Sequence, residues 1–130
     1  MRWLTAFALI FVLTGCASSY KDRAAKTVGA MVGIVNHTDR YIASASVNGA
    51  GGANMTEYGA GGASVCCAVI PAVCYPGMKV EVRWNMPIGR TPVVKVKEVE
   101  VEKYDEPGSI YIHVFDNDQI RVVVTNHPGY

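Results

Sequence analysis

The chain has 130 residues, 50% of them hydrophobic and 18% charged, a balance that fits one folded domain and excludes an intrinsically disordered polymer. Its 12 Lys and Arg stand against 11 Asp and Glu, for a formal net charge of +1 at pH 7. No basic face for nucleic acid or anionic lipid is implied.

Met1-Arg2 opens the chain with a charge, and an apolar run follows over residues 3–12. That run has the length of a signal-peptide core, roughly 7 to 15 residues, and falls short of the about 20 needed to span a bilayer. It ends in Leu13-Thr14-Gly15-Cys16, which resembles the lipobox of bacterial lipoproteins. Cleavage before Cys16 and diacylglycerol attachment to its thiol are expected, with further acylation making the membrane anchor stable. Ala17 follows, where an Asp would resemble an inner-membrane retention signal in enteric bacteria, so the periplasmic face of the outer membrane is the expected location. Loss of the leader also removes Arg2, which leaves the mature chain neutral. The predicted organisation is a cleaved leader over residues 1–15, a lipidated polar tether over 16–26 and a β-domain over 27–130.

From Thr27 the hydrophobic period is two, not 3.6, and β-branched residues are dense. Val28, Ala30, Val32 and Ile34 share one face of a first strand. Asn36-His37-Thr38-Asp39 supplies turn chemistry. Tyr41, Ala43, Ala45 and Val47 are expected to line the buried face of a second strand, with Ser44 and Ser46 outward.

Residues 48–63 depart from this regularity. They contain Gly49-Ala50-Gly51-Gly52-Ala53 and Gly59-Ala60-Gly61-Gly62-Ala63 around Asn54-Met55-Thr56-Glu57-Tyr58. A long loop is expected there, either a bland connection or a contact surface for a protein partner. Nucleotide binding is disfavoured, since neither a Gly-Lys-Ser/Thr sequel nor a helical pattern follows the glycines.

A third strand over residues 65–70 is apolar on both faces and so is expected to be central. It carries Cys66 and Cys67, with Cys74 beyond Pro71. Three cysteines besides Cys16 are an odd number in an oxidising compartment. The candidate disulfides are Cys66–Cys74, Cys67–Cys74 or a vicinal Cys66–Cys67 ring, with a bridge to Cys74 preferred. Val80, Val82 and Trp84 alternate with Lys79, Glu81 and Arg83 in the cleanest half-buried strand. In the next, Val94 and Val96 lie on one parity and Val99 and Val101 on the other, so a bulge at Lys97-Glu98 is expected. Ile110, Ile112 and Val114, the turn Asp116-Asn117-Asp118, and Ile120, Val122 and Val124 complete a final hairpin. The predicted fold is all-β: a single small antiparallel β-sandwich, or barrel, of about seven strands.

His37, His113 and His127 show no metal-ligand spacing with one another or with the cysteines, and no metal or cofactor is expected. His113 reads as a packed or half-exposed strand histidine. No serine stands in a nucleophile elbow, and acidic residues fall singly or in solvated alternation such as Glu98, Glu100 and Glu102. An enzyme is not expected.

The lipobox, Val47-Asn48-Gly49-Ala50-Gly51-Gly52, Gly61-Gly62-Ala63-Ser64-Val65-Cys66-Cys67, Pro76-Gly77-Met78-Lys79-Val80, Val82-Arg83-Trp84 and Val122-Val123-Val124-Thr125-Asn126 together resemble a proteobacterial lipoprotein family catalogued as domain of unknown function 3304. Cys74 departs from that family's pattern, which counts against a bridge to Cys74. Members are often encoded beside antibacterial phospholipase effectors of type VI secretion systems. The resemblance therefore implies a periplasmic immunity protein that binds such a lipase and blocks it. Asn48, Asn54, Met55, Glu57 and Tyr58 would then be partner-binding residues, with Met55 and Tyr58 as apolar anchors. The competing expectation is a non-enzymatic structural or assembly lipoprotein of the cell envelope.

Overall fold

A computed structural model describes residues 26–61, 63 and 65–127. The expected leader, the lipid attachment at Cys16 and the tether up to residue 25 lie outside the described residues. Eight strands are present among them: β1 (Thr27–Asn36), β2 (Ser44–Val47), β3 (Ala50–Gly51), β4 (Val65–Pro71), β5 (Lys79–Asn85), β6 (Val94–Glu100), β7 (Ser109–Val114) and β8 (Ile120–Thr125). They form two four-stranded sheets in the orders β4-β1-β7-β8 and β3-β2-β5-β6.

Alternation places one set of side chains between the sheets. Val32, Ile34, Ile110, Ile112, Val114 and Val122 from the first sheet meet Ala45, Val47, Val80, Val82 and Trp84 from the second, all nearly inaccessible to solvent. Each large aliphatic side chain so buried contributes about 1.5–3 kcal/mol of hydrophobic stabilisation. The first strand, the Val80-Val82-Trp84 strand and the final hairpin stand as their periodicity predicts.

The protein is an all-β sandwich with mostly antiparallel pairing, and one pair departs from that rule. β1 and β7 run parallel, Val32 beside Ile110 through Asn36 beside Val114. Between β1 and β7 the chain builds all four strands of the second sheet and the edge strand β4 of the first, and β7 then enters the first sheet in the direction of β1. The crossover also closes one side of the sandwich. Beyond β6, Val101 bridges Val122 and the Glu102 N–H donates to the Val122 carbonyl at 3.0 Å.

Four local expectations are corrected. Tyr41 is 39% exposed and Ile42 is buried, because the chain enters β2 only at Ser44 and the preceding residues do not keep its parity. β4 is an edge strand and not a central one: Cys66, Cys67 and Val69 face solvent, and apolar residues on both faces do not demand two covered faces. No bulge interrupts β6, whose register with β5 is continuous from Glu100 beside Lys79 to Val94 beside Asn85. Val94 and Val96 point outward, while Lys95 occupies the inner parity and reaches Asp118 with a 2.6 Å ion pair.

The fourth correction concerns residues 48–63, which are not a long loop. Ile42 beside Met55, Ser46 beside Gly51 and Val47 beside Ala50 keep one antiparallel register, so residues 42–47 and 50–55 are the arms of one hairpin. Its two-residue turn is Asn48-Gly49, both with positive φ (48° and 84°), the geometry that makes Asn-Gly a hairpin signal. Residues 59–61 then lie along β1: the Asn36 N–H donates to the Gly59 carbonyl at 2.8 Å and Val35 bridges Ala60.

Candidate functional site

β1 is a ten-residue strand that starts at Thr27, next to the expected tether, and ends at Asn36. At about 3.3 Å per residue this separates its ends by about 30 Å. The candidate site is built around Asn36, at the end of β1 opposite Thr27.

Asn36 is buried, 2% exposed, and joins two turns. Its Oδ1 accepts from the Thr38 N–H at 3.0 Å and from the Thr38 hydroxyl at 2.7 Å. Its Nδ2 donates to the Arg40 carbonyl at 2.7 Å and to the Thr56 carbonyl at 3.0 Å. Both donors and both acceptor positions of the amide are therefore used. The Arg40 guanidinium in turn donates to the Met86 carbonyl at 3.1 Å, which ties this turn to the end of the β5–β6 hairpin.

The second turn is Thr56-Glu57-Tyr58-Gly59, closed by the Gly59 N–H donating to the Thr56 carbonyl at 3.0 Å. The Tyr58 N–H donates to the Thr38 carbonyl at 2.9 Å. Tyr58 has φ of 54° and is 71% exposed. A bulky side chain in the left-handed region carries a cost of about 1–2 kcal/mol, offset here by the Asn36 and Thr38 hydrogen bonds. Gly59 follows for a steric reason: a Cβ there would stand 2.7 Å from Met55 Sδ and 2.7 Å from Thr56 Oγ1.

Of the residues expected to contact a partner, the structure brings Met55, Glu57 and Tyr58 together. Met55 is half-buried against the core and exchanges two 2.9 Å backbone hydrogen bonds with Ile42, while Glu57 is exposed beside Tyr58. Asn54 is exposed on the hairpin arm leading to this turn. Asn48 is elsewhere. It lies at the opposite end of the hairpin, about 20 Å away, where its Oδ1 accepts from the Glu81 N–H at 2.8 Å and its own N–H donates to the Glu81 carbonyl at 2.8 Å. Its side chain is committed to the turn.

Beside Asn36 and Thr38 stands a pair of histidines. His37 Nε2 lies 2.9 Å from His113 Nδ1, and the His37 ring stacks on Phe115 with centroids 4.2 Å apart. Burial pushes the His113 pKa below the ordinary histidine value, with charge on His37 and Arg121 acting the same way and Glu102 opposing. Arg121 grips Glu102 with two hydrogen bonds of 2.6 and 2.7 Å, which hold the Glu102 carboxyl below the usual carboxylate range. The expectation of a packed strand histidine describes His113, but its pairing with His37 has no sequence signal, since the two are 76 residues apart. The Asn36-x-Thr38 turn and the Asn48-Gly49 hairpin did have one in their side-chain chemistry. Among the described residues, no group of three or more His, Cys, Asp or Glu side chains is placed to hold a metal.

The structure joins Cys66 to Cys67 as a vicinal disulfide and leaves Cys74 free and half-buried, so the preferred bridge to Cys74 is not formed. Cys74 instead packs against the core, with its thiol 3.8 Å from the Tyr75 carbonyl.

Residues 35–122 match the model of a protein family described as Protein of unknown function (DUF3304). The chain belongs to this family. The DUF3304 match opens at the last residues of β1 and closes within β8, so it takes in the Asn36 and Tyr58 turns and both paired histidines. No curated protein and no solved structure matches the chain.

Proposed function

We propose that this DUF3304 chain is a lipid-anchored periplasmic immunity protein that binds a type VI secreted antibacterial phospholipase and neutralises it. The observation that carries the reading is Tyr58: a large aromatic, 71% exposed, held in a left-handed conformation on a turn whose carbonyls and amides are tied down by Asn36 and Thr38. Aromatic anchors on rigid supports are the usual carriers of protein–protein binding energy. Tyr58 would be the anchor and Glu57 its polar neighbour, with Met55 supporting the turn from beneath. The lipobox ending at Cys16 supports attachment to the membrane that such a toxin attacks, and tethering raises the inhibitor's effective concentration there. The Tyr58 turn is tied to Asn36, at the end of β1 opposite Thr27, where the expected tether joins.

The test is co-purification from the native host with a tagged chain that keeps Cys16. Recovery of a phospholipase whose activity is suppressed in the complex is the expected result. Recovery of envelope proteins alone would overturn the immunity reading and make the chain a structural or assembly lipoprotein.

A further inference from the structure

His37 and His113 are hydrogen-bonded to each other through their rings, and they adjoin the turn network. His37 lies between Asn36 and Thr38, so the backbone that carries its ring also carries the groups holding Thr56 and Tyr58. Its ring points the other way, onto Phe115 and towards His113 on β7. The His37 N–H donates to the Val114 carbonyl at 2.8 Å, which fixes the backbone beneath the ring.

A nitrogen–nitrogen separation of 2.9 Å is a hydrogen bond only when one atom carries a proton and the other does not. A neutral pair satisfies this, and so does a pair holding one extra proton between the rings. A doubly protonated pair cannot, because two N–H groups and two positive charges then confront each other. The surroundings add little relief. β8 presents Arg121 directly beside His113, the chain after β6 presents Glu102, already committed to Arg121, and β1 presents the apolar Val35.

We propose that the His37–His113 pair is an acid-opened clasp on the partner-binding turn: entry of the second proton parts the rings, frees the 36–40 turn and loosens Tyr58. The clasp stands on the ring geometry alone. Its effect on binding rests on the reading of Tyr58 as the partner contact. Burial of His113 sets the direction, since it makes the folded chain resist that proton until the pH is below the ordinary histidine range.

The experiment follows amide exchange in the full lipidated chain in detergent between pH 7.5 and 4.5, corrected for the intrinsic rate, together with titration of the histidine ring resonances. Protection at Tyr58 and Gly59 is expected to fall about tenfold or more as the second histidine titrates, while Val82 and Val122 stay protected. His113→Gln, which keeps hydrogen-bonding capacity without the titration, should hold the Tyr58 amide flat across this range. His37→Asn, at the more accessible ring, should do the same and covers the case in which the buried variant does not fold. Constant protection at Tyr58 in the unaltered chain, or the same fall in both variants, would overturn the clasp. Retention of the purified phospholipase at both pH values separates the two readings. Undiminished retention with a loosened Tyr58 would overturn the contact assignment and leave the clasp standing.

Discussion

Asn36 does with one side chain what a longer loop would otherwise need several backbone hydrogen bonds to do, and Tyr58 is the residue that benefits. With the Asn36 amide satisfied at all four positions, the Thr56-Gly59 turn is held firmly enough to keep Tyr58 at φ of 54°. This sets stability and binding against each other at a single position. Tyr58→Gly removes the conformational strain and should raise unfolding stability by about 1 kcal/mol in urea titrations. The same change deletes the proposed anchor and should weaken phospholipase binding by about 2 kcal/mol or more, roughly 30-fold, in a calorimetric titration. Binding that survives the substitution would remove Tyr58 from the contact surface. His113 supplies a second prediction at this scale. Its folded pKa lies below the ordinary value of 6.5, so between the two the unfolded chain binds the extra proton. The His113 contribution to stability is fully present above that ordinary value and is lost as the pH falls through the folded one. Urea midpoints should therefore decline from pH 7.5 to pH 5, and His113→Gln should flatten that part of the curve.

At the scale of elements, the hairpin over residues 42–55 replaces an expected loop with a register. Asn48 is bonded into its turn, at the opposite end of the hairpin from the proposed contact at Tyr58, which gives Asn48→Ala a divided outcome. Stability should drop by about 1–2 kcal/mol through loss of the positive-φ turn residue and its bond to Glu81, while affinity for the partner should stay unchanged. A loss of affinity in a variant with near-native stability would restore Asn48 to the interface. β6 poses a different problem, because its outer edge is unpaired and Val94 and Val96 are half exposed. Lys95 and Lys97 on the inner parity answer it. Lys95 pairs with Asp118, Lys97 donates to the Asp118 carbonyl, and charges so placed discourage another strand from adding to the edge. Replacing both with Val should promote concentration-dependent self-association in sedimentation velocity, whereas replacing both with Arg should leave the chain monodisperse. The same reasoning explains the false bulge: in Val94-Lys95-Val96-Lys97 alternation alone does not say which set faces inward.

Over the whole molecule, the parallel β1–β7 pair assembles the remote end from distant parts of the sequence. It brings the end of β1 level with the end of β7, so that His37 meets His113 and Phe115. The hairpin from β2 delivers Met55 and Tyr58 to the same end, and the β5–β6 hairpin delivers Met86 to Arg40. Thr27, where β1 begins, is at the other end of that strand from the exposed aromatic. The Glu102–Arg121 pair helps little with global stability, being solvent-exposed, but it engages the carboxylate whose charge opposes the lowering of the His113 pKa.

The sequence by itself determined the all-β class, the inward faces of β1, β5, β7 and β8, the turn chemistry at Asn36 and Asp116, and membership of DUF3304, which the match over residues 35–122 bears out. These are local properties: a period of two, and side chains that satisfy their own backbone, are visible within a few residues. Tertiary structure alone decided that β4 is an edge, that β1 and β7 are parallel, that Cys66 pairs with Cys67, and that His37 meets His113. Edge position, strand direction and the histidine pairing depend on which segments become neighbours after the chain crosses between sheets. That choice is made by burial of the whole core, to which no short stretch of sequence holds the key.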